Sequence, residues 1–509
     1  MKKAGIICFL LIFVLFSALQ ASAAEWTFMV YLDGDNNLED AGIDDFLEMA
    51  SVGSDSNINI VVQFDRIPSY TSAYDNWTDC QRFLITPGMT PALANAISDW
   101  GDGQGGREVN MADPQTLIDF IIWGKANYPA DNYAVILWNH GDGWREASEI
   151  RKPRLKAVCW DDTSGWIEAL EMDEVQQVFN SAGSVDLIGF DACLMGMVEV
   201  AYELKNNAYV MVCSEETEPG DGWPYDTVLA ALAAFPAMTP ADLGQTIVDC
   251  YGQSYRPFYG TTQSAIDLNE MDALIASINS IAIEAKDADH AAVLLARNAS
   301  QEYYYPENID LYHFASLLYT ESSDPDVQAA ATAVMNAVDN AVIAAYGDNM
   351  LPDSNGLAIY FPEIEGSFDD DYNELIIDFL GASDWDEFLQ WFYNPETAIS
   401  LLEPVDGAVL SSTYPATFAW EAGPGYRFKV EFSPTHTFTS GFPTLSIPRG
   451  DFFIAETSTD DMPTAAWGNA WNIITNIEQH QGIVYWRVTG KDMPPAMLEY
   501  SEIRSFTIE

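Results

Sequence analysis

Two stretches of sequence decide the fold of this chain: Ala134-Val135-Ile136-Leu137-Trp138-Asn139-His140-Gly141 and Asp186-Leu187-Ile188-Gly189-Phe190-Asp191-Ala192-Cys193. Each is an apolar run that predicts a buried β-strand, and each ends on a side chain capable of catalysis. Parallel α/β sheets place their active sites at the carboxyl ends of their strands. We therefore expect His140 and Cys193 to lie at the same edge of one sheet.

The order and spacing of these two residues favour nucleophilic catalysis by a thiol. Cys193 follows His140 by 53 residues, and caspase-type cysteine peptidases carry their His about 50 residues upstream of the Cys. We expect residues 194–204 to form a helix, whose amino-terminal dipole would favour the Cys193 thiolate. The backbone N–H groups of Gly141 and Cys193 are candidate donors to an oxyanion, because Gly permits close backbone approach. A cysteine peptidase is thus the leading hypothesis.

The first three quarters of the chain alternate between strand-like and helix-like segments. This alternation predicts a layered α/β domain with a mostly parallel sheet over residues 24–395. The predicted strands are residues 27–32, 58–64, 134–138, 187–190, 210–213 and 356–361, and the predicted helices are 117–126, 173–180 and 194–204.

The sequence changes character near Asn394 and Pro395. Residues 396–509 contain short runs of Val, Phe, Tyr, Trp and Thr separated by Pro and Gly, such as residues 426–432 and 484–488. This pattern is typical of a small antiparallel β-sandwich. We predict an immunoglobulin- or fibronectin-like domain there.

The amino terminus predicts export. Residues 1–23 carry two lysines, an apolar stretch and a small-residue cleavage site, which together are typical of a signal peptide. We therefore expect a secreted or periplasmic protein. No later run reaches about 18 apolar residues, so no membrane span is predicted.

The charge balance restricts the partners. The chain has 77 Asp and Glu against 21 Lys and Arg, a formal net charge of -56. Nucleic acids and anionic membranes are excluded as expected partners, because both require clustered cations. We expect most of these acidic residues to form a solvated surface. Attraction of cationic substrates and loose calcium binding are the alternative interpretations of the charge.

Five cysteines follow the predicted signal peptide: Cys80, Cys159, Cys193, Cys213 and Cys250. An odd number in an exported protein leaves at least one thiol free unless it pairs between chains. Cys159, Cys213 and Cys250 lie in apolar segments, where a buried cysteine is usually structural. Cys193 is therefore the candidate nucleophile.

Five sequence blocks in the same order resemble the clostripain family of cysteine peptidases, which are relatives of caspases, legumains and gingipains. The resemblance covers roughly residues 26–395. Its blocks are Val30-Tyr31-Leu32-Asp33-Gly34-Asp35-Asn36-Asn37-Leu38-Glu39, Asn139-His140-Gly141, Trp160-Asp161-Asp162-Thr163-Ser164-Gly165, Asp191-Ala192-Cys193-Leu194-Met195-Gly196 and Ser214-Glu215-Glu216-Thr217-Glu218-Pro219-Gly220-Asp221-Gly222-Trp223.

The resemblance implies a caspase-like fold and a catalytic dyad of His140 and Cys193. It also implies cleavage after Arg or Lys, with Asp191 and Asp221 as candidates for recognition of the basic side chain. Five of the 21 basic residues fall between Arg145 and Lys156. Relatives are processed in this interval, so we expect self-cleavage within Arg151 to Lys156, with Arg154 as the best single site.

No metal site is assigned from the sequence, and calcium stays possible. The motif Asp33-x-Asp35-x-Asn37 begins like a calcium loop but has Leu38 at position six and Asp44 at position twelve. The chain also lacks a Gly-x-Ser-x-Gly elbow and a His-Glu-x-x-His pair, so serine hydrolase and zincin hypotheses have no support. The alternative from another class is a catalytically silent surface-binding protein that uses its C-terminal β-sandwich.

Overall fold

The computed structural model divides the chain into two compact units, Met1–Trp385 and Asp386–Glu509. The predicted boundary at residue 395 stays a prediction. The residues that the structure describes are 23–68, 70–100, 106–143, 158–163, 168–256, 259–288, 290–369, 372, 377–393, 399–411, 416–422, 427–433, 445–447, 474, 483–491, 498–501 and 503–508.

The first unit is an α/β structure, as predicted. Its strands are β1 Ala24–Gly34, β2 Ile58–Arg66, β3 Gln81–Leu84, β4 Ala130–Trp138, β5 Val158–Asp161, β6 Glu168–Leu170, β7 Leu187–Asp191, β8 Val210–Cys213, β9 Thr262–Asp267, β10 Asn308–Asp310, β11 Val342–Gly347 and β12 Ala358–Tyr360. Its helices are α1 Glu39–Val52, α2 Pro114–Asn127, α3 Met172–Ala182, α4 Val198–Glu203, α5 Tyr225–Ala234, α6 Pro240–Ser254, α7 Met271–Ala288, α8 His290–Ala299, α9 Leu311–Glu321, α10 Pro325–Ala341 and α11 Asp378–Ala382.

An eight-stranded sheet forms the centre of this unit, in the order β11-β9-β8-β7-β4-β1-β2-β3. The five middle strands, from β8 to β2, run parallel, whereas β3, β9 and β11 pair antiparallel at the two edges. Strands β1, β2, β7 and β8 are buried almost throughout, and residues 134–138 of β4 are buried as well. Strands covered on both faces need apolar residues at successive positions, which explains the continuous apolar runs in the sequence.

Strand register sets the position of the site. Trp138 at the end of β4 pairs with Asp191 at the end of β7, and Leu32 near the end of β1 also pairs with Trp138. The chain segments that follow these three strands therefore leave the sheet at the same level. His140 and Cys193 each lie two residues beyond a paired strand end.

Two predicted elements differ from the structure. The predicted strand at 356–361 is β12 Ala358–Tyr360, and it pairs with β10 in a separate two-stranded sheet. The predicted helix at 194–204 is reduced to α4 Val198–Glu203. The N–H groups of Leu194 and Gly196 donate to the carbonyls of Glu216 and Ser214 instead of entering a helix. Cross-chain hydrogen bonding therefore displaces the first turn that the apolar pattern predicts.

The second unit contains short strands around an aromatic core. Helix α12 Trp385–Tyr393 begins at the last residue of the first unit, and the strands are β13 Ile399–Glu403, β14 Ala408–Leu410, β15 Ala419–Ala422, β16 Arg427–Ser433, β17 Leu445–Ile447, β18 Val484–Lys491, β19 Leu498–Tyr500 and β20 Arg504–Ile508. Strands β14, β20, β18, β16 and β17 form one sheet with β19 beside β18, and β13 pairs with β15. The buried core includes Phe418, Trp420, Phe432, Trp486 and Phe506.

Across the described ranges, we find no helix with the length and apolar character needed to cross a membrane.

Candidate active site

A close backbone contact holds the two predicted catalytic segments together. A Cβ built on Gly141 would lie 2.3 Å from the carbonyl oxygen of Cys193 and 3.1 Å from its backbone nitrogen. No side chain can occupy that space, so the position requires Gly. The segment after β4 thus packs directly on the segment after β7. The structure brings His140, Gly141 and Cys193 together, as the strand-end pattern predicts.

Cys193 lies in the loop between β7 and α4, five residues before the helix begins. Its half-buried Sγ accepts a hydrogen bond from the Glu218 N–H at 3.3 Å. Burial raises the pKa of the Cys193 thiol above its ordinary value, and this hydrogen bond only partly opposes the shift. The expectation of a thiolate favoured by a helix dipole is therefore wrong: the helix starts too late, and desolvation is the larger effect.

His140 is half-buried and held from two sides. Its Nε2 lies 2.9 Å from Oδ1 of Asn37, which follows β1. Its ring packs edge-on against Trp160, with 5.9 Å between centroids. Burial lowers the pKa of His140, so the imidazole is neutral at neutral pH. A neutral imidazole can accept the proton of a thiol during its attack on a carbonyl carbon.

A buried amide fixes the start of the His140 segment. Asn139 donates from Nδ2 to Oδ2 of Asp33 at 2.6 Å and to the carbonyl of Trp160 at 3.1 Å. This network links the ends of β1, β4 and β5. The sequence alone gave no role to Asn37 or Asn139, although both residues lie in the sequence blocks that resemble the clostripain family.

An open cleft lies beside the imidazole. Its volume is about 320 Å³, and it is lined by Asn36, Asn37, His140, Gly141, Asp142, Trp160, Asp162 and Tyr305. Most of these groups are polar or aromatic, which suits an extended peptide with hydrogen-bonding backbone groups.

Asp191 and Glu218 are two buried carboxyl groups close to Cys193. Asp191 accepts hydrogen bonds at Oδ2 from the Tyr225 hydroxyl at 2.8 Å and from the Trp223 N–H at 3.3 Å. Burial raises the pKa of Asp191 to about 6, against hydrogen bonds from Tyr225 and Glu218 that lower it. Burial and the neighbouring Asp191 raise the pKa of Glu218 well above its ordinary value. A pKa of about 6 leaves Asp191 charged at neutral pH, and this charge is one reason why Glu218 is harder to ionise.

Glu218 was missed by sequence reasoning although it belongs to a family-like block. Its backbone N–H contacts Cys193, and its Oε1 accepts from Gln263 Nε2 at 3.1 Å. Glu218 lies 25 positions after Cys193 in the sequence, and only the fold shows that the two residues are in contact.

The sequence profile of the clostripain family of peptidases matches residues 30–392. The chain belongs to the clostripain family.

Two similar proteins agree with this assignment. Clostripain of Hathewaya histolytica is 28% identical over 417 residues, which make up 70% of this chain and 78% of that protein. A secreted C11 cysteine protease of Bacteroides thetaiotaomicron, solved with an irreversible peptide inhibitor, shares the fold with a TM-score of 0.53 and 21% identity. That match covers 72% of this chain and 100% of the other. The chain is a clostripain-like cysteine endopeptidase.

Asp221 does not lie with Asp191 in this clostripain-family fold. It is exposed, and it lines a groove against α1 together with Asp44, Asp45, Glu48 and Asp226. Gly222 lies between the Asp191 carboxylate and the Asp45 carboxylate. A Cβ at Gly222 would be 3.1 Å from both Asp191 carboxylate oxygens and 3.2 Å from Oδ2 of Asp45. Of the two predicted recognition residues, only Asp191 is buried beside the Cys193 loop.

Arg154 and the rest of the basic cluster at residues 145–156 lie outside the described residues, as do residues 1–22 of the predicted signal peptide. The structure therefore does not place the predicted processing site.

The raised pKa of Cys193 leads to a pH prediction for this peptidase. In the free enzyme, the rate of alkylation by iodoacetamide should rise about tenfold per pH unit from pH 6 to pH 8.5, because only the thiolate reacts and the thiol stays largely protonated in that range. The measurement is stopped-flow or quenched alkylation followed by peptide mass spectrometry of Cys193. A rate that is already level between pH 5 and pH 7 would indicate a preformed thiolate–imidazolium pair and contradict this account.

Proposed function

We propose that this peptidase cleaves after Arg or Lys through a dyad of His140 and Cys193. The observation that carries the proposal is the contact of Gly141 with the Cys193 backbone, which leaves room for no side chain and holds the His segment against the Cys segment. The cleft beside His140 offers space for the peptide.

The proposed chemistry begins with both groups neutral. His140 accepts the Cys193 proton as Sγ bonds to the carbonyl carbon of the substrate. Backbone N–H groups of Gly141 and Cys193 stabilise the oxyanion. When the C–N bond breaks, the imidazolium returns the proton to the leaving amine, and water then hydrolyses the acyl-enzyme.

The proposed recognition group for the basic side chain is Asp191, with Glu218 beside it. Asp191, with a pKa of about 6, is charged at neutral pH and lies two residues before Cys193, and the Glu218 N–H donates to the Cys193 Sγ. A guanidinium or ammonium group compensates that buried charge, whereas an apolar side chain leaves it unpaired. Rates on peptides that differ only in Arg, Lys, Gln or Leu at the cleaved position test this proposal.

We also propose that the protein is exported and that it processes itself. Residues 1–23 supply the export signal. The proposed self-cleavage follows a basic residue in the segment 151–156, with Arg154 as the best site. The acidic recognition group and the basic cluster are complementary in charge.

Self-processing predicts a simple result on denaturing gels. The purified wild-type protein should give two fragments that divide near residue 154, whereas Cys193→Ala should remain one chain because it lacks the nucleophile. Arg154→Ala is the matched variant that tests whether self-cleavage occurs at Arg154. A fully active wild-type enzyme that stays uncut would show that the basic cluster is only a solvated surface loop.

For residues 396–509 we propose an immunoglobulin- or fibronectin-like β-sandwich. Support comes from the strand pairing and from the aromatic core of Phe418, Trp420, Phe432, Trp486 and Phe506.

A further inference from the structure

The amide side chain of Asn37 faces one nitrogen of the His140 ring. Its Oδ1 lies 2.9 Å from Nε2 of His140. An amide oxygen can only accept a hydrogen bond, so this contact is favourable only if Nε2 carries the hydrogen. Burial lowers the pKa of His140 and keeps the ring neutral at neutral pH, and a neutral imidazole has one N–H group. The other ring nitrogen, Nδ1, is therefore left as an acceptor.

The segments that carry these two side chains are held by the same acceptors. Asn36 donates from Nδ2 to the backbone carbonyl oxygens of Asp33, at 3.3 Å, and Trp160, at 3.0 Å. Asn139 donates from its own Nδ2 to the same two oxygens, at 3.1 Å each. Asn36 immediately precedes Asn37 in the chain, and Asn139 immediately precedes the histidine. The shared acceptors therefore fix the two backbone segments relative to each other.

Further contacts restrain both side chains although Asn37 is exposed. Asn36 Oδ1 accepts the Leu38 N–H at 2.8 Å, and this hydrogen bond spans the backbone of Asn37. The Trp160 ring lies beside the imidazole of His140, with 5.9 Å between centroids and 67° between planes, so it limits rotation of the imidazole. The contact between Asn37 and Nε2 thus follows from restrained backbone and ring positions.

We infer that Asn37 is a positioning residue: it holds the hydrogen of His140 on Nε2 and so makes Nδ1 the nitrogen that exchanges a proton with Cys193. The hydrogen bond made by one nitrogen of a histidine ring sets the role of the other nitrogen. The catalytic consequence rests on the proposed dyad, whereas the position of the hydrogen is a property of the resting protein.

The contact would support both proton transfers of the proposed reaction. When Sγ of Cys193 attacks the substrate, its proton moves to Nδ1, and the imidazolium then carries hydrogen on both nitrogens. Oδ1 of Asn37 continues to accept the Nε2 hydrogen, and a hydrogen bond from a charged donor is stronger than one from a neutral donor. The contact therefore stabilises the charged ring more than the resting ring, until Nδ1 returns the proton to the leaving amine.

The position of the hydrogen is measured on full-length Cys193→Ala, which lacks the proposed nucleophile. The histidine rings are labelled with ¹⁵N, and long-range ¹H–¹⁵N NMR spectra at alkaline pH, where the imidazole is neutral, show which nitrogen carries the hydrogen. His140→Gln in the same background identifies the signal among the five histidines. We expect hydrogen on Nε2, and a mixture of both tautomers once Asn37→Ala is added. Hydrogen on Nδ1 in Cys193→Ala would overturn the inference.

Steady-state kinetics then measure the effect on the reaction. Asn37→Ala should lower kcat about 10- to 100-fold on a peptide with Arg at the cleaved position and should change KM far less, because the contact acts on proton transfer. Asn57→Ala is the matched control. Asn57 is exposed and precedes β2 at the amino edge of the sheet, so its replacement should leave kcat unchanged.

Asn37→Asp provides a readout that a purely structural role would not move. It keeps an acceptor oxygen at this position but adds a negative charge, which raises the pKa of His140, as Asp162 already does from the segment after β5. Asp142 and Tyr305 line the same cleft and are unchanged in this variant. His140 must be neutral to accept the thiol proton, so the acidic limb of the kcat/KM profile should move to higher pH. Above that limb, activity should recover to within a few-fold of wild type.

The outcomes separate this inference from the proposed dyad. Wild-type activity in His140→Ala would remove the dyad and, with it, the catalytic role of Asn37. An inactive His140→Ala together with unchanged kcat, pH profile and tautomer in Asn37→Ala would keep the dyad and overturn the inference. An Asn37→Asp variant as impaired as Asn37→Ala at every pH would also contradict it, because an acceptor oxygen at this position would then not be what the reaction needs.

Discussion

Cys193→Ala should lose at least about 10⁴-fold in kcat/KM on a peptide with Arg at the cleaved position, because it removes the thiol proposed to form the acyl-enzyme. His140→Ala should lose a comparable amount, since the thiol is protonated at neutral pH and needs a base. The double variant should be little worse than either single variant, as expected for two groups that act together. Steady-state kinetics with a fluorogenic peptide measures all three.

Cys213→Ser is the matched control for the nucleophile. Cys213 is fully buried on β8 and contacts the Ser264 hydroxyl at 3.6 Å, so this change should affect stability more than kcat/KM. Wild-type activity in Cys193→Ala, with the fold intact by circular dichroism, would end the assignment of Cys193 as nucleophile.

Asp191→Asn should have the second-largest effect, and it should act on specificity. The substitution keeps the shape of a side chain that is 4% exposed but removes the charge that a basic substrate would compensate. We expect a loss of about 10²- to 10³-fold in kcat/KM for Arg or Lys substrates, since an uncompensated buried charge costs 2–5 kcal/mol. The same peptide with Gln or Leu at the cleaved position should change far less. The quantity to measure is kcat/KM for the Arg or Lys peptide divided by kcat/KM for the Gln or Leu peptide.

Asp221→Asn is the control for Asp191→Asn. Asp221 is an exposed member of the α1 groove, where solvent screens its charge, so its loss should alter the preference by no more than a few-fold. Unchanged preference for basic residues in Asp191→Asn would contradict the pocket assignment. A large loss in Asp221→Asn alone would place recognition in the α1 groove instead.

The sequence allowed the five middle strands of the central sheet to be predicted because their buried segments need apolar residues at successive positions. Residues 134–138 of β4 and 187–190 of β7 are such runs, and they end visibly at Asn139 and Asp191. The carboxyl ends of parallel strands lie at one edge of a sheet, so His140 and Cys193 were expected to lie at the same edge. The position of these two residues at the edge of the sheet could therefore be predicted from the sequence.

The other features of the candidate site could not be predicted, because they depend on contacts between segments that are distant in the sequence. The apolar pattern after Cys193 predicts a helix, but hydrogen bonds to Ser214 and Glu216 hold residues 194–196 in a loop. That loop removes the helix dipole and leaves burial to set the pKa of the thiol. Glu218 and Asn37 reach the dyad only through the fold. No local pattern distinguishes them from the other polar residues of an acidic chain.

Covalent labelling tests the central claim most directly. The purified full-length protein is incubated with an irreversible peptide halomethyl ketone that carries Arg or Lys at its reactive end, and the adduct is located by mass spectrometry. The account predicts one adduct per chain on Cys193, with no labelling after His140→Ala at the same exposure. An adduct on Cys80, Cys159, Cys213 or Cys250, or an active enzyme that takes no label, would contradict it.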